Sequence, residues 1–109
     1  MAWLVRDGEV LASIEIARNR SGRRKGLLGR DGIEGALLLT PARSVHTLGM
    51  RFDIDVAFLD REGVVKRTVR MRRNRLGLPV LSARSVVEAE AGAFARWNLS
   101  VGQKVEVVE

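Results

Sequence analysis

The sequence predicts an α+β fold: a single compact domain over residues 1–109, mainly antiparallel β-sheet or a partly closed barrel, with two short helices. Three observations point there. Short runs of alternating apolar residues recur along the chain, separated by turn-forming pairs such as Asp7-Gly8. Only two stretches, inside Arg18 to Arg30 and Ala93 to Leu99, read better as short helices. No repeat, low-complexity linker or compositional break divides the 109 residues, a length suited to one modest core.

Trp3 to Val5 and Glu9 to Ile16 flank Asp7-Gly8, a pair that tolerates the positive φ angles of a tight hairpin, so the first two strands are expected to pair. In the second, Val10, Ala12, Ile14 and Ile16 alternate with Glu9, Leu11, Ser13 and Glu15, which predicts one buried and one mostly wet face. Asn19 or Ser21 can cap a helix of about two turns that buries Leu27 and Leu28 and ends at Gly29. Asp31-Gly32 and Gly35 mark a loop before Ala36 to Leu39, whose unbroken apolar run suits a central strand; Pro41 ends its pairing. Ser44 to His46 reads as a brief strand and Thr47 to Gly49 as a turn. Ile54 to Leu59 is a strand with Ile54, Val56 and Phe58 on one face and Asp53 and Asp55 on the other. Asp60 to Gly63 turns the chain into Val64 to Met71, where Val65, Val69 and Met71 face one way and Lys66, Thr68, Arg70 and Arg72 the other. Gly77 and Pro79 make Asn74 to Ala83 a loop or edge connection. Ser85 to Glu90 sets Val87 and Glu88 on opposite faces, Phe94 and Trp97 turn the second helix inward, and Lys104 to Val108 is the last strand.

Composition narrows the chemistry. With no cysteine, disulfides, thiolate metal sites, iron–sulfur clusters and cysteine nucleophiles are excluded. The apolar start MAWLV is broken by Arg6 and Asp7, and no apolar run approaches the ~20 residues of a membrane span, so a cytoplasmic protein with no membrane partner is expected. Net charge is +6, and of the 19 basic residues all but Lys25, Lys66 and Lys104 are arginine. Such a surface attracts phosphates and acidic partners, although a solvated face kept for solubility has the same composition.

Two basic clusters stand out. Arg18, Arg20, Arg23, Arg24, Lys25 and Arg30 surround the first helix, where arginines and backbone N–H groups together favour an anion, or simply coat an exposed face. Arg70, Arg72, Arg73 and Arg75 run from a strand face into a loop and could hold a nucleic-acid backbone weakly. No aromatic interleaves either cluster, and no helix has the length of a groove reader, so nucleic acid is the less favoured partner.

Between the clusters lies Ser44 to Asp60, with the only histidine and two closely spaced aspartates. His46 with Asp53 or Asp55 could act as an acid–base pair in a small hydrolase-like enzyme. The plainer reading leaves His46 bonded to the backbone and makes Asp55 and Glu88 structural carboxylates that pair with arginine or accept backbone N–H bonds, Arg51 and Arg30 being candidate partners. One histidine is too few for a non-haem iron site, and Ser44 and Ser21 lack the glycines of a strained nucleophile turn, so no metal, cofactor or catalytic residue is assigned. The favoured expectation is a binding module for an anionic small molecule or acidic partner, beside the His46 to Arg51 turn, using His46, Met50, Arg51, Asp55, Arg24 and Arg30.

Six short motifs follow one another along the chain: Gly26-Leu27-Leu28-Gly29-Arg30, Gly35-Ala36-Leu37-Leu38, Ile54-Asp55-Val56-Ala57-Phe58-Leu59-Asp60, Gly63-Val64-Val65, Val86-Val87-Glu88 and Gly102-Gln103-Lys104-Val105. In that order and spacing they resemble the bacterial and archaeal family called domain of unknown function 192, from about Arg18 to Val108. Leu28, Asp53 and Gln103 stand where that family commonly has Met, Pro and Asp. The resemblance implies a compact, mainly β fold with short helices, and brings no established activity or catalytic residue.

Overall fold

In the computed structural model, which describes residues 1–109, Asp7 and Gly8 take positive φ angles and turn β1 (Ala2–Arg6) back into β2 (Glu9–Ala17). The chain continues through α1 (Arg20–Lys25), β3 (Ala36–Leu39), β4 (Ile54–Leu59), β5 (Val65–Met71), β6 (Ser85–Glu90), α2 (Ala93–Trp97) and β7 (Glu106–Val108). All seven strands join one sheet in the order β5-β4-β6-β3-β2-β1-β7, antiparallel except for the parallel pair β2 and β3. α1 lies in that parallel crossover, as a parallel pair requires a connection longer than a hairpin. The sheet is open: of the two architectures expected, it is a sheet rather than a partly closed barrel. β5 and β7 are its edges, although Val64 bridges Lys104 beside them.

Apolar residues are buried on both faces of the sheet. Leu4, Ile14, Leu38, Ala57, Leu59, Val87, Ala89 and Val105 form one cluster with Phe94 of α2, while Leu37, Leu39, Ile54, Val56, Phe58 and Val86 form a second with Leu27, Val45 and Met50 from the loops. Every residue of β4 is therefore buried, and the face that carries Asp55 is covered by α2.

A bulge explains the main difference in strand faces. Phe58 pairs with Arg67 but Leu59 pairs with Val65, so Lys66 is an extra residue and the alternation shifts by one. Val65 consequently packs with Leu59, whereas Val69 and Met71 pack on the opposite face with Phe58. The expected common face of Val65, Val69 and Met71 is divided between the two cores.

The first helix is shorter than expected. Asn19 caps it, its Oδ1 accepting from Gly22 N at 2.7 Å, but the helix ends at Gly26, with φ of 48°, and not at Gly29. Leu27 enters the core just beyond it, while Leu28 stays exposed. Ser44 to His46 makes a single bridge, His46 to Leu76, in place of a strand. Phe94 and Trp97 face each other in α2 with ring centroids 5.7 Å apart.

Candidate functional site

Asp55 and Glu88 are equally inaccessible, each 4% exposed, yet their surroundings are opposite. Asp55 accepts from Arg70 Nε at 3.0 Å, Gly92 N at 3.0 Å and Phe94 N at 3.2 Å. It ties β5 and the start of α2 to β4. This is the expected structural carboxylate, with Arg70 as its partner in place of Arg51 or Arg30.

Glu88 receives no such support. It sits mid-sheet on β6, opposite Leu37 of β3 and Val56 of β4, so both cross-strand neighbours are apolar. Its buried Oε1 has no hydrogen-bond partner. Burial alone pushes its pKa up to about 7. The expectation that Glu88 pairs with arginine or accepts backbone N–H groups is thus corrected: the middle of a sheet has no free N–H to offer it.

Above Glu88 opens a cleft of about 530 Å³, lined by Arg20, Arg23 and Arg24 of α1, Arg43 and His46 of the following connection, and Leu39. Gly26 packs against the carboxyl; a side chain there would bring its Cβ to 3.1 Å from Glu88 Oε1, so the glycine both permits the φ angle and leaves the carboxyl room. Two of the family-like motifs, Gly26 to Arg30 and Val86 to Glu88, therefore meet at this point.

The cleft walls are held by backbone bonds. Asn19 anchors α1, and the segment from Ala42 to Thr47 is clasped by bonds from Ala42 N to Arg84 O at 3.0 Å, Val80 N to Arg43 O at 2.9 Å and Gly77 N to Val45 O at 2.9 Å. Thr47 is fully buried; its Oγ1 donates to Arg72 O at 2.6 Å and accepts from Arg75 N at 2.9 Å. That threonine pins the connection carrying His46.

None of the four arginines lining the cleft is paired with a carboxylate: Arg23 donates to Arg18 O, Arg43 donates to Ala83 O at 3.2 Å, and Arg20 and Arg24 form no ion pair. Their neighbours are engaged elsewhere. Arg18 pairs with Glu109 at 2.9 Å, and Arg30 makes a two-pronged pair with Glu15 at 2.8 and 3.0 Å. That pair lowers the Glu15 pKa and raises that of Arg30, chiefly through the shared hydrogen bonds.

Of the expected ligand residues, the cleft unites His46 and Arg24. Arg30 is committed to Glu15, Arg51 pairs with Asp31 at 3.0 Å, Met50 is buried in the core, and Asp55 faces the opposite side of the sheet beneath α2. The His46–aspartate pair does not form. His46 Nδ1 accepts from Leu48 N at 3.3 Å, while Asp53 accepts from Arg73 N at 3.0 Å. Arg70, Arg72 and Arg75 line a separate cleft of about 390 Å³ along the edge strand β5, with Leu76 and Leu78; Arg73 lies near Asp53 at 3.8 Å.

Arg43 and Glu88 were not assigned to a site from sequence, and Arg20 and Arg23 entered only as members of the basic cluster around the first helix. The available signal was a single carboxylate inside the apolar run Val86-Val87-Glu88-Ala89, which alternation alone cannot distinguish from an ion-paired residue.

A UPF0127 protein of Pyrococcus abyssi is 31% identical over 98 residues, covering 85% of this chain and 84% of its own. A protein of unknown function from Novosphingobium aromaticivorans superposes with a TM-score of 0.80 at 21% identity, over 96% of this chain and 82% of that one. A candidate transcription regulator from Sinorhizobium meliloti gives 0.83 at 18% identity, over 97% and 91%. Both show likeness of fold. The family described as DUF192, uncharacterized ACR, matches residues 2–107, extending the resemblance back through the first hairpin, and the chain belongs to that family.

Proposed function

We propose that the protein is a binding module for an anionic small molecule, held in the cleft between α1, the Pro41 to His46 connection and Glu88. The supporting observation is that Arg20, Arg23, Arg24 and Arg43 line one cleft with no carboxylate paired to any of them. Guanidinium groups unpaired by protein carboxylates retain their hydrogen-bond donors for a carboxylate or phosphate. The size of the cleft suits a small molecule. Relative to the sequence-based expectation, the site moves from the His46 to Arg51 turn toward α1, keeping His46 and Arg24.

Enzymatic use of His46 with an aspartate has no geometric support, because each is bonded to the backbone of a different segment. A nucleic-acid role for Arg70, Arg72, Arg73 and Arg75 is weakened by Asp55 and Asp53, which neutralise two of them.

Titration with inorganic phosphate, followed by amide NMR shifts, tests the proposal. Shifts are expected to localise to α1 and residues 41–46, and Arg23→Ala or Arg24→Ala is expected to weaken binding on the order of tenfold, the worth of one charged hydrogen bond. No shift at millimolar phosphate, or shifts confined to β5, would overturn it.

A further inference from the structure

We infer that the ligand carries, besides its anionic group, a hydroxyl that donates a hydrogen bond to the Glu88 carboxyl; this rests on the cleft being the anion site proposed above. The ligand class is then a hydroxylated anion, either a polyol phosphate monoester or a hydroxycarboxylate.

The contrast with Asp55 carries the argument. At the same 4% exposure, Asp55 receives three donors from the protein and Glu88 Oε1 receives none. A buried polar atom without a partner is costly and uncommon in a folded protein. Oε1 packs beside Gly26, the cross-strand neighbours Leu37 and Val56 contribute no donor, and the Glu88 side chain lines the cleft, so the cleft is the side from which a donor can approach the carboxyl.

Charge selects which donor enters. The charged or titratable groups that line the cleft with Glu88 are Arg20, Arg23 and Arg24 from α1 and Arg43 and His46 from the connection, set against one carboxyl. A ligand ammonium would meet this positive field, and an anionic group placed on Glu88 itself would meet an ionised carboxylate above neutral pH. A hydroxyl avoids both. It donates to the carboxylate and both donates to and accepts from the protonated acid, so it fits either state of a group that titrates near pH 7.

Calorimetric titrations at pH 7 of wild type and Glu88→Leu with glycerol 3-phosphate, n-propyl phosphate, glycerate and propionate test this. Wild type is expected to bind the hydroxylated member of a pair at least about tenfold more tightly than its deoxy analogue, since a site built around a hydroxyl rejects the analogue that lacks it. The pair that binds identifies phosphate or carboxylate as the anionic group. Glu88→Leu is expected to lose the preference and bind the two members of a pair with equal affinity, because the group that distinguishes them is gone. Equal affinities within each pair in wild type overturn the hydroxyl and leave the anion site standing, a comparison that needs no variant. A preference that survives in Glu88→Leu also overturns it. Failure of all four ligands to bind overturns the anion site and this inference together.

Discussion

At the scale of single residues, two carboxylates with equal burial have opposite energetic roles. Glu88 is protonated more readily in the folded chain, about 7, than at its ordinary value of 4.5. Below 4.5 both folded and unfolded chains hold the proton, and nothing is lost. Between 4.5 and about 7 the unfolded chain releases it while the folded chain retains it, so stability falls as pH rises and the full penalty, about 3 kcal/mol, is present above that window. The stability advantage of Glu88→Leu over wild type is therefore expected to grow by about 3 kcal/mol between pH 4 and pH 8, as measured by urea unfolding. Parallel pH profiles for the two proteins would contradict this. Asp55, by contrast, is an anchor whose protein donors hold α2 to β4. Asp55→Ala strands the N–H groups of Gly92 and Phe94, and a loss on the order of 3 kcal/mol is expected; the exposed Arg70 contributes little of it. A melting temperature equal to wild type would show that α2 does not depend on this anchor.

Among the elements, the parallel pairing of β2 with β3 depends on a close backbone approach. A Cβ on Gly35 would lie 2.4 Å from Ser13 O, at a φ of 73° that other residues rarely adopt. Gly35→Ala is expected to lose on the order of 2–4 kcal/mol, from overpacking and backbone strain together, by the same unfolding measurement. The β4–β5 turn is built more locally. Asp60 Oδ1 accepts from Glu62 N and Val64 N at 2.9 Å each, and these bonds, led by that from Val64, hold its pKa below the ordinary value. Such local devices were legible beforehand: the Asp7-Gly8 hairpin, the Asn19 cap and the Asp60 turn each follow from one or two residues. The bulge at Lys66 was not, because nothing in the sequence near Val64 to Met71 marks the extra residue; it follows from pairing with β4, and a single shift reassigned Val69 and Met71 to the other core.

Over the whole molecule, a net charge of +6 is distributed unevenly. Many arginines are used in ion pairs that tie distant segments, as Arg18 does with Glu109 and Arg30 with Glu15. The cleft arginines of α1 and the Pro41 to His46 connection are without such pairs. Binding of duplex DNA is expected to be absent at about 0.15 M salt, in an electrophoretic mobility assay, because the β5 cluster is partly neutralised and phosphate contacts alone are strongly screened. A shift that persists above about 0.2 M salt would instead make nucleic acid the leading partner. No helix is long and apolar enough to cross a membrane.

Periodicity, turn chemistry and motif order were enough to read the α+β class, nearly every strand, both helices and the family from the chain alone. These depend on interactions between residues close in sequence, or on patterns that survive without knowing the partner strand. The site did not yield to the same reading. His46 and the aspartates looked joined because they are close in sequence, but the sheet sends Asp55 beneath α2 and His46 to the opposite side. Glu88 looked like one more paired carboxylate until the strand order placed β6 between β4 and β3, where its apolar neighbours leave it no donor and α1 raises arginines over it. Which polar atom is left unsatisfied depends on what surrounds it in three dimensions, and that is set by long-range pairing.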